Sequence, residues 1–465
     1  MAKDNTKVFS DYSIPKATAT LALPSMLGML INIVYNLADT FFVGQTGNPN
    51  QVSAVSVAMP LFLLFMAIGN LFGVGGCAFI SRSLGEGRRD IVKTISAFSV
   101  YGGVLVSLVL AVTYIAVREP LLYLAGASDD SIGFAKDYLF WVALGAPFVT
   151  SSITLCNLLR GEGAARQSMT GMVLGQLTNI VLDPIFILSS GDRLFSLHLP
   201  FGLGLGVAGA AIATVLGNVV SVLYFVIYFL RGKSILSVSP KRFAVNGNIV
   251  RGVLGVGAPA ALNNLLMSVS NVVINMFLSG YGDNAVAAMG IAMKANMLIT
   301  MLQLGLAQGI QPLVGFCYGA KNYQRMHSAI RFGMVCNVLL GTLITAVYFF
   351  ARRQVISIFI ENEEVIGYGV QMLTALMSSG AILGIFFVIN FSFQGMGMGF
   401  RSLLLAVGRQ GLVYLPLLFI MDKFIGLEGI IWAQPAADYV CIIASVLMLH
   451  FVMKSLHGKK ETDNG

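Results

Sequence analysis

The chain contains twelve apolar stretches that are each long enough to cross a lipid bilayer as a helix. A spanning helix needs roughly 20 apolar residues, whereas the strands of a membrane barrel are segments of about ten residues that alternate in hydrophobicity. The sequence therefore predicts an all-α membrane protein with twelve transmembrane helices. These lie near residues 17–44, 52–81, 94–117, 138–159, 168–190, 205–230, 252–279, 285–318, 328–350, 367–393, 402–421 and 429–453.

The composition supports lipid as the solvent for most of the surface. Of the 465 residues, 56% are hydrophobic and only 11% are charged, whereas soluble domains carry about a quarter charged residues. The mean hydropathy of +0.81 agrees. The net charge of +8 does not indicate a nucleic-acid partner, because the basic residues are spread over many short loops and form no patch.

The positions of lysine and arginine predict the orientation. Most of the 29 basic residues fall in loops on the side that both termini share, including Arg401 and Arg409. The positive-inside rule then places both termini in the cytoplasm. This count takes Lys294 as the one basic residue within a span and assigns Arg331 and Arg409 to the loops, although the apolar stretches 328–350 and 402–421 include them. The first sixteen residues are polar and show no cleavage site, so we expect no signal peptide.

Two halves of the chain resemble each other. The stretch from Pro24 to Gly47 aligns with the stretch from Pro259 to Gly282. The pattern Gly206, Gly209, Ala213 recurs as Gly426, Gly429, Ala433, and Ser168 matches Ser402. Each repeat holds an even number of spans, so the two halves enter the membrane in the same direction. We predict a six-helix lobe over 1–231, a cytoplasmic linker over 232–251 and a second six-helix lobe over 252–465.

Carboxylates and amides cluster inside the first-half spans. Asn36 and Asp39 share a face of the first span with Tyr35 nearby, and Asn179 and Asp183 lie one turn apart in the fifth. Thr214 and, one turn earlier, Ala210 lie in the sixth. Oxygen ligands suit a hard cation such as Na+, and the same acids can instead carry a proton. The alternative is a hydrogen-bond network that only holds the helices together. The predicted coupling residues are Asp39, Asp183, Asn179, Asn36, Thr214 and Ala210.

The second half lacks both acids at the equivalent positions, since Asp39 aligns with Ile274 and Asp183 with Leu415. It instead contains Lys294 and Asp438, which we predict to form an ion pair. A methionine at every turn beside Lys294 suits a promiscuous pocket or ordinary packing. The predicted substrate-cavity residues are Tyr35, Asn157, Met293, Met297, Lys294 and Asp438.

Two further patterns have structural explanations. Gly204, Gly206 and Gly209 fit a dinucleotide fingerprint, but they open a membrane helix and lack a βαβ context, so we expect close helix packing. The five cysteines show no CxxC spacing and lie in or near apolar segments, so we expect buried free thiols. They are Cys77, Cys156, Cys317, Cys336 and Cys441.

The chain resembles the multidrug and toxic compound extrusion (MATE) family over nearly its whole length. The similarity rests on the first span with its acid, the run from Gly69 to Gly75, the exit from Ser81 to Gly85 and the Asp183-Pro184 pair, with the Gly206 to Thr214 and Glu428 to Gln434 segments.

The resemblance implies two six-helix lobes arranged as a V and export of cationic, amphipathic organic compounds across a bacterial or archaeal plasma membrane. Entry of Na+ or H+ would drive export, without any cofactor. Asp39, Asn179, Asp183 and Thr214 match the first-lobe cation site of the prokaryotic branch, and Pro24 matches the proline at which the first helix bends. We expect a monomer that contacts organic cations and membrane lipids.

Two other functions are compatible with twelve spans. A lipid-linked sugar flippase would need several cavity arginines to hold pyrophosphate, and the sequence places only Lys294 within a span. An intramembrane aspartyl protease would need Tyr-Asp and Gly-x-Gly-Asp contexts, whereas Asp39 follows Ala38 and Asp183 follows Leu182. The sequence therefore favours a transporter over an enzyme.

Overall fold

The structure, a computed structural model, describes residues 5–190, 193–194, 197–198 and 202–463. Within these residues, twelve helices are long and apolar enough to cross a membrane, which confirms the predicted all-α, multi-pass fold. They are α1 Ile14–Gly44, α2 Pro49–Gly85, α3 Arg89–Ala116, α4 Ile132–Gly161, α5 Ala165–Ile187, α6 Gly206–Leu230, α7 Gly247–Ser279, α8 Asp283–Gly319, α9 Tyr323–Ser357, α10 Glu363–Gly395, α11 Gly399–Ile425 and α12 Leu427–Asp463.

Most helices extend past the apolar stretches that predicted them. α2 and α8 each run for 37 residues, because hydropathy marks only the part of a helix inside the hydrocarbon core. Short elements fill some of the loops. They are the helices Lys7–Ser10 and Arg118–Leu124, the 3₁₀ turn Pro240–Arg242 and an antiparallel pair of two-residue strands, β1 Arg193–Leu194 and β2 Leu197–His198.

α11 is not a regular helix throughout. An α-helix over Gly399–Val407 passes into a π-helical turn over Gly408–Leu412, and an α-helix resumes over Tyr414–Ile425. π-helical turns are rare and often occur at functional sites. The sequence predicted a single uninterrupted span here, since apolar periodicity carries no signal for one inserted residue.

One compact unit of the structure contains Ile31–Ile80 and Arg88–Gly257. Its core is formed by buried apolar side chains of α2, α4 and α6 together with the short Arg118–Leu124 helix. Members with little or no exposure include Phe65, Leu122, Leu139, Ala146 and Ala211.

The linker between the predicted lobes packs on this first unit. The Ser96 hydroxyl donates to the Ser237 carbonyl at 2.9 Å, and the Tyr101 hydroxyl donates to the Val238 carbonyl at 2.6 Å. The Glu162 carboxylate, just beyond α4, accepts a hydrogen bond from the Ser234 hydroxyl at 2.7 Å. The segment is therefore held by specific contacts.

A second compact unit contains Thr6–Leu30, Ser81–Gly87 and the chain from Ala258 onward. Its core includes Leu278, Ile299, Leu373 and Leu418. The amino-terminal segment is held within this unit by Arg325, whose guanidinium donates to the carbonyls of Phe9 and Tyr12. The packed units therefore include segments that are not contiguous in the chain, and the lobe boundaries at 231 and 252 stay a prediction.

Small residues allow close helix contacts in the first unit. A Cβ on Gly209 would meet the backbone of Phe186, with its carbonyl carbon at 2.5 Å. Gly204 and Gly206 have positive φ angles of 64° and 56° where the chain enters α6, a conformation that favours glycine. The glycine pattern thus allows the chain to enter α6 and allows close helix packing.

All five cysteines are free thiols, as the sequence predicts. Four are buried and Cys336 is half-buried.

Candidate functional site

Four helices of the first unit contribute polar side chains to one cluster. Two tyrosines, two acids, one amide and one hydroxyl lie close enough together to interact electrostatically or by hydrogen bonds. α1, α4, α5 and α6 supply them. The members are Tyr35, Asp39, Tyr138, Asn179, Asp183 and Thr214.

Asn179 and Thr214 connect α5 with α6. The Asn179 side-chain amide donates to the Thr214 hydroxyl at 3.2 Å. One turn away, a Cβ on Gly217 would lie 2.6 Å from the carbonyl oxygen of Gly175. Because neither glycine has a side chain, the two backbones approach closely, and this approach brings the amide within reach of the hydroxyl.

Asp183 is the most deeply buried acid of the cluster, with 0% of its surface exposed. Among the described residues, neither of its carboxylate oxygens has a hydrogen-bond partner, and the Asn179 side-chain oxygen also has none. An isolated buried carboxylate is costly unless it is paired or neutralised. These oxygens therefore fit a bound cation or a proton.

Asp39 is half-buried and lies near Asp183, close enough for the two carboxyl groups to repel each other. Tyr35 interacts with both acids and makes a side-chain hydrogen bond with Thr214. Tyr138 also faces both acids. Tyr138 is not predicted from the sequence, because a tyrosine at the start of a span resembles an interfacial aromatic residue.

Two residues predicted for the coupling site have other surroundings. The Asn36 amide donates to the carbonyl and the side-chain oxygen of Asn32 on its own helix, at 2.7 and 3.1 Å. Ala210 is buried in the apolar core of the first unit. Asn157, predicted to line the substrate cavity, donates to the Ile153 carbonyl at 2.9 Å and is buried.

The predicted ion pair between Lys294 and Asp438 is wrong. Asp438 is paired with Arg409, whose Nε lies 2.7 Å from the carboxylate, while Lys294 is exposed. Arg409 was assigned to a cytoplasmic loop, but it lies in the π-helical turn of α11 and is buried. Lys294 is therefore not the one basic residue within a span.

The remaining predicted residues belong to the second unit. Met293 is exposed and Met297 is half-buried on α8. Pro24 lies inside α1, where it removes one backbone donor from the helical ladder. A shared substrate cavity for these residues stays a prediction.

The chemistry of the first-unit cluster suits a small hard cation. Among the described residues, no group of three or more His, Cys, Asp or Glu side chains converges. The cluster instead combines two acids with neutral amide, hydroxyl and phenol oxygens. Such a set matches Na+, which prefers oxygen ligands, and either acid can also hold a proton.

Comparison with known proteins gives consistent results. The model of the MatE family matches residues 24–185 and 259–420, one match in each half. The chain is 33% identical to "Multidrug export protein MepA" of Staphylococcus saprophyticus, with 98% of both chains covered. A solved MATE structure in the straight conformation has a TM-score of 0.91 at 25% identity, covering 98% of this chain and 100% of the other. One in the bent conformation has a TM-score of 0.87 at 26% identity, covering 99% of both.

The two family matches begin at Pro24 and Pro259, the prolines that the internal repeat pairs. The repeat, the twelve spans and the sequence similarity over almost the whole length agree with one another. The chain therefore belongs to the MATE family of membrane transporters, which are not enzymes.

Proposed function

We propose that the protein exports cationic, amphipathic organic compounds in exchange for Na+ or H+, with Asp39 and Asp183 as the coupling acids. The observation that carries this proposal is the Asp183 carboxylate, which is fully buried, lies near Asp39 and has no hydrogen-bond partner among the described residues. The relatives named multidrug export protein support the substrate class.

Coupling requires that the ion and the drug stabilise different conformations, because a ligand with equal affinity for both states shifts no equilibrium. Two acids in one cluster provide an electrostatic reason for the ion to favour one conformation. Their mutual repulsion is relieved when a cation or proton binds, so occupancy changes the energy of bringing α1 towards α5. Water and polar partners then leave the neutralised site more easily.

Pro24 offers a place for α1 to bend. Proline lacks a backbone donor and its ring crowds the preceding turn, so a helix bends more easily there than elsewhere. The similar MATE structures solved in a straight and in a bent conformation support a proposal in which the protein changes shape. Binding at Asp39, further along the same helix, would bias this bend.

The membrane potential can supply part of the driving force. One elementary charge moving across 100 mV gains about 2.3 kcal/mol. A factor of ten in concentration corresponds to about 1.4 kcal/mol, so a net inward movement of one positive charge per cycle supports roughly a fiftyfold drug gradient. For a drug with one positive charge, that net movement requires two inward cations per exported drug, because one-for-one exchange moves no net charge. We propose that a monomer carries out the exchange.

The test is transport in proteoliposomes. Sodium and pH gradients are imposed separately, and efflux of a fluorescent organic cation is recorded. Asp39→Asn and Asp183→Asn should keep the fold, because asparagine has the same shape, but gradient-driven efflux should collapse. Asp137→Asn, which changes an exposed acid on α4, is the matched control. If both cluster variants pump at the wild-type rate, the first-unit cluster is not the coupling site.

A flippase for lipid-linked sugars fits less well. Such a protein needs free positive charge in the membrane to hold pyrophosphate. Arg409 is buried in α11, but its charge is balanced by Asp438 at 2.7 Å. The pair therefore offers no net attraction for an anion.

A further inference from the structure

The second unit contains a buried ion pair that the proposed transport mechanism does not use. Arg409 of α11 and Asp438 of α12 are 2.7 Å apart, with 11% and 3% of their side-chain surfaces exposed. Taking two charges out of water costs several kcal/mol per ion unless the geometry and further hydrogen bonds are good. The surroundings of this pair supply both.

Every carboxylate oxygen of Asp438 is satisfied. Oδ1 accepts from Arg409 Nε at 2.7 Å and from Gln434 Nε2 at 2.9 Å, while Oδ2 accepts from the Ser379 hydroxyl at 2.8 Å. The guanidinium carbon of Arg409 lies 5.6 and 5.5 Å from the ring centres of Phe386 and Phe387. A carboxylate together with aromatic rings is the combination that binds organic cations in proteins.

The internal repeat places this pair in the same region of its lobe as the first-unit cluster. Counting from the matched alanines Ala213 and Ala433, Gln434 takes the position of Thr214, and Asp438 takes that of Asn218. Counting from the matched serines Ser168 and Ser402, Arg409 falls at the position of Gly175.

The two regions differ in how their acid is balanced. Gly175 has no side chain, and the Asp183 carboxylate, two turns further along the same helix, has no hydrogen-bond partner among the described residues. Arg409 extends a cation from the equivalent position, and the Asp438 carboxylate is fully bonded. In the first lobe, the Asp183 carboxylate therefore lacks a positive partner. In the second lobe, the Asp438 carboxylate is neutralised by the side chain of Arg409.

The backbone of α11 is adapted to present Arg409. The residue lies in the π-helical turn Gly408–Leu412, and the next carbonyl, that of Gln410, accepts a hydrogen bond from the Ser270 hydroxyl at 2.8 Å. A π-helical turn inserts one residue and re-aims the side chains that follow. α11 therefore departs from regular geometry at the residue that supplies the cation.

We propose that Arg409 is a tethered cation that fills a second cation site, formed by Asp438, Ser379, Gln434 and the rings of Phe386 and Phe387. A free cation cannot occupy this site while the guanidinium is in place. A consequence, which rests on the ion coupling proposed above, is that exchange of free cations is confined to the first lobe.

Chemical rescue tests the proposal without measuring transport. Arg409→Ala removes the tethered cation and leaves space beside Asp438 that a small planar cation can enter. The purified variant should unfold at a lower temperature than wild type. Millimolar methylguanidinium should raise that temperature, compared with sodium chloride at equal ionic strength. The same additive should not raise the unfolding temperature of wild type or of the double variant Arg409→Ala/Asp438→Asn.

The matched control is Arg353→Ala. Arg353 also pairs with an acid of the second unit, Glu363 at 2.6 Å, but both side chains are mostly exposed, at 65% and 73%. Its unfolding temperature should change little and should not respond to methylguanidinium. No response of Arg409→Ala to the additive, or an equal response of the double variant, would overturn the proposal.

A second pair of variants covers the case in which Arg409→Ala does not fold. Arg409→Gln and Asp438→Asn each leave one buried charge without its partner, so each should lower the folded yield. The double variant is neutral and should recover part of that yield. If the yield losses of the two single variants simply added in the double variant, Arg409 and Asp438 would not interact and the proposed site would be wrong. These readouts need no ion gradient, so failure of the proposed antiport would leave them unaffected.

Discussion

The side-chain amide of Asn179 donates to the hydroxyl of Thr214 at 3.2 Å, and this hydrogen bond joins α5 to α6 one turn from the Asp183 carboxylate. The bond occupies the nitrogen of the amide and leaves its oxygen without a partner among the described residues. It therefore orients an oxygen ligand as well as connecting two helices.

Thr214→Val should weaken the response to the coupling ion. The change removes the hydroxyl and leaves the Asn179 amide unsatisfied, at a cost of about 1–3 kcal/mol. A coupling loss of that size corresponds to roughly a 5–150-fold change in affinity. We expect a higher Na+ or H+ concentration for half-maximal efflux, measured in proteoliposomes. Thr178→Val is the control, because Thr178 is half-buried on the same helix and its hydroxyl donates to the Leu174 carbonyl of that helix at 2.7 Å. Equal shifts in both variants would argue against the oriented amide.

Gly217→Ala should destabilise the first unit. Its new Cβ would lie 2.6 Å from the Gly175 carbonyl oxygen, so α5 and α6 would have to separate. Overpacking of this kind costs about 1–3 kcal/mol, and we expect a lower unfolding temperature together with weaker ion dependence. A Cβ on Gly255 of α7 would have no neighbour within 4 Å, so Gly255→Ala should be neutral or slightly stabilising. A neutral Gly217→Ala would mean that the close contact is dispensable.

Glu162→Gln should remove part of the pH dependence of stability. Burial raises the pKa of Glu162 from 4.5 to about 7, although hydrogen bonds from Ser234 and Ile235 lower it in part. Because the folded pKa is the higher one, the stabilisation from the bound proton is complete below about pH 4.5. It is lost as the pH rises to about 7.

The measurement is the unfolding temperature of wild type and variant between pH 4.5 and 8. The wild type should lose more stability than Glu162→Gln over this range, and the difference isolates the one carboxyl. Glu361→Gln, which changes an exposed acid, should follow the wild type. If the unfolding temperatures of wild type and Glu162→Gln changed in parallel with pH, the Glu162 carboxyl would not be the group that causes the pH dependence.

Both termini and the linker should be cytoplasmic, as the distribution of loop lysines and arginines predicts. Single cysteines at Asn50 and Asn246, both exposed, test this in a variant without the five native cysteines. An impermeant thiol reagent added to intact cells should label position 50 and not position 246. The opposite pattern would reverse the topology.

Much of the fold and of the first-unit cluster could be predicted from the sequence. Acids are so costly within a span that Asp39 and Asp183 had to face the protein interior. Helical spacing then put Asn179 on the same face as Asp183. Tyr138 could not be predicted, because its role depends on how α4 packs against α1 and α5, which spacing along one helix does not report.

The Arg409–Asp438 pair could not be predicted for a different reason. Arg409 falls inside the predicted span 402–421, but its nearness to Arg401 and the glycines on either side of it favoured a loop residue. Its burial depends on the π-helical turn, which apolar periodicity does not reveal. Lys294 was the wrong partner for Asp438, because opposite charges within one half do not specify which helices are neighbours.

The ion pair of the second unit has a consequence for biosynthesis. Arg409 and Asp438 are 29 residues apart on consecutive spans, so the two helices can enter the bilayer as a hairpin whose charges already neutralise each other. Asp39 lies on the first span, while the cluster members Tyr138, Asp183 and Thr214 are synthesised later. A lone acid within a span is costly during insertion, by roughly 2.5–3.5 kcal/mol at the helix centre and less towards its ends. The Arg409–Asp438 pair can therefore form as soon as the last two spans have been synthesised. Asp39 is surrounded by its protein partners only after α4, α5 and α6 have also been inserted.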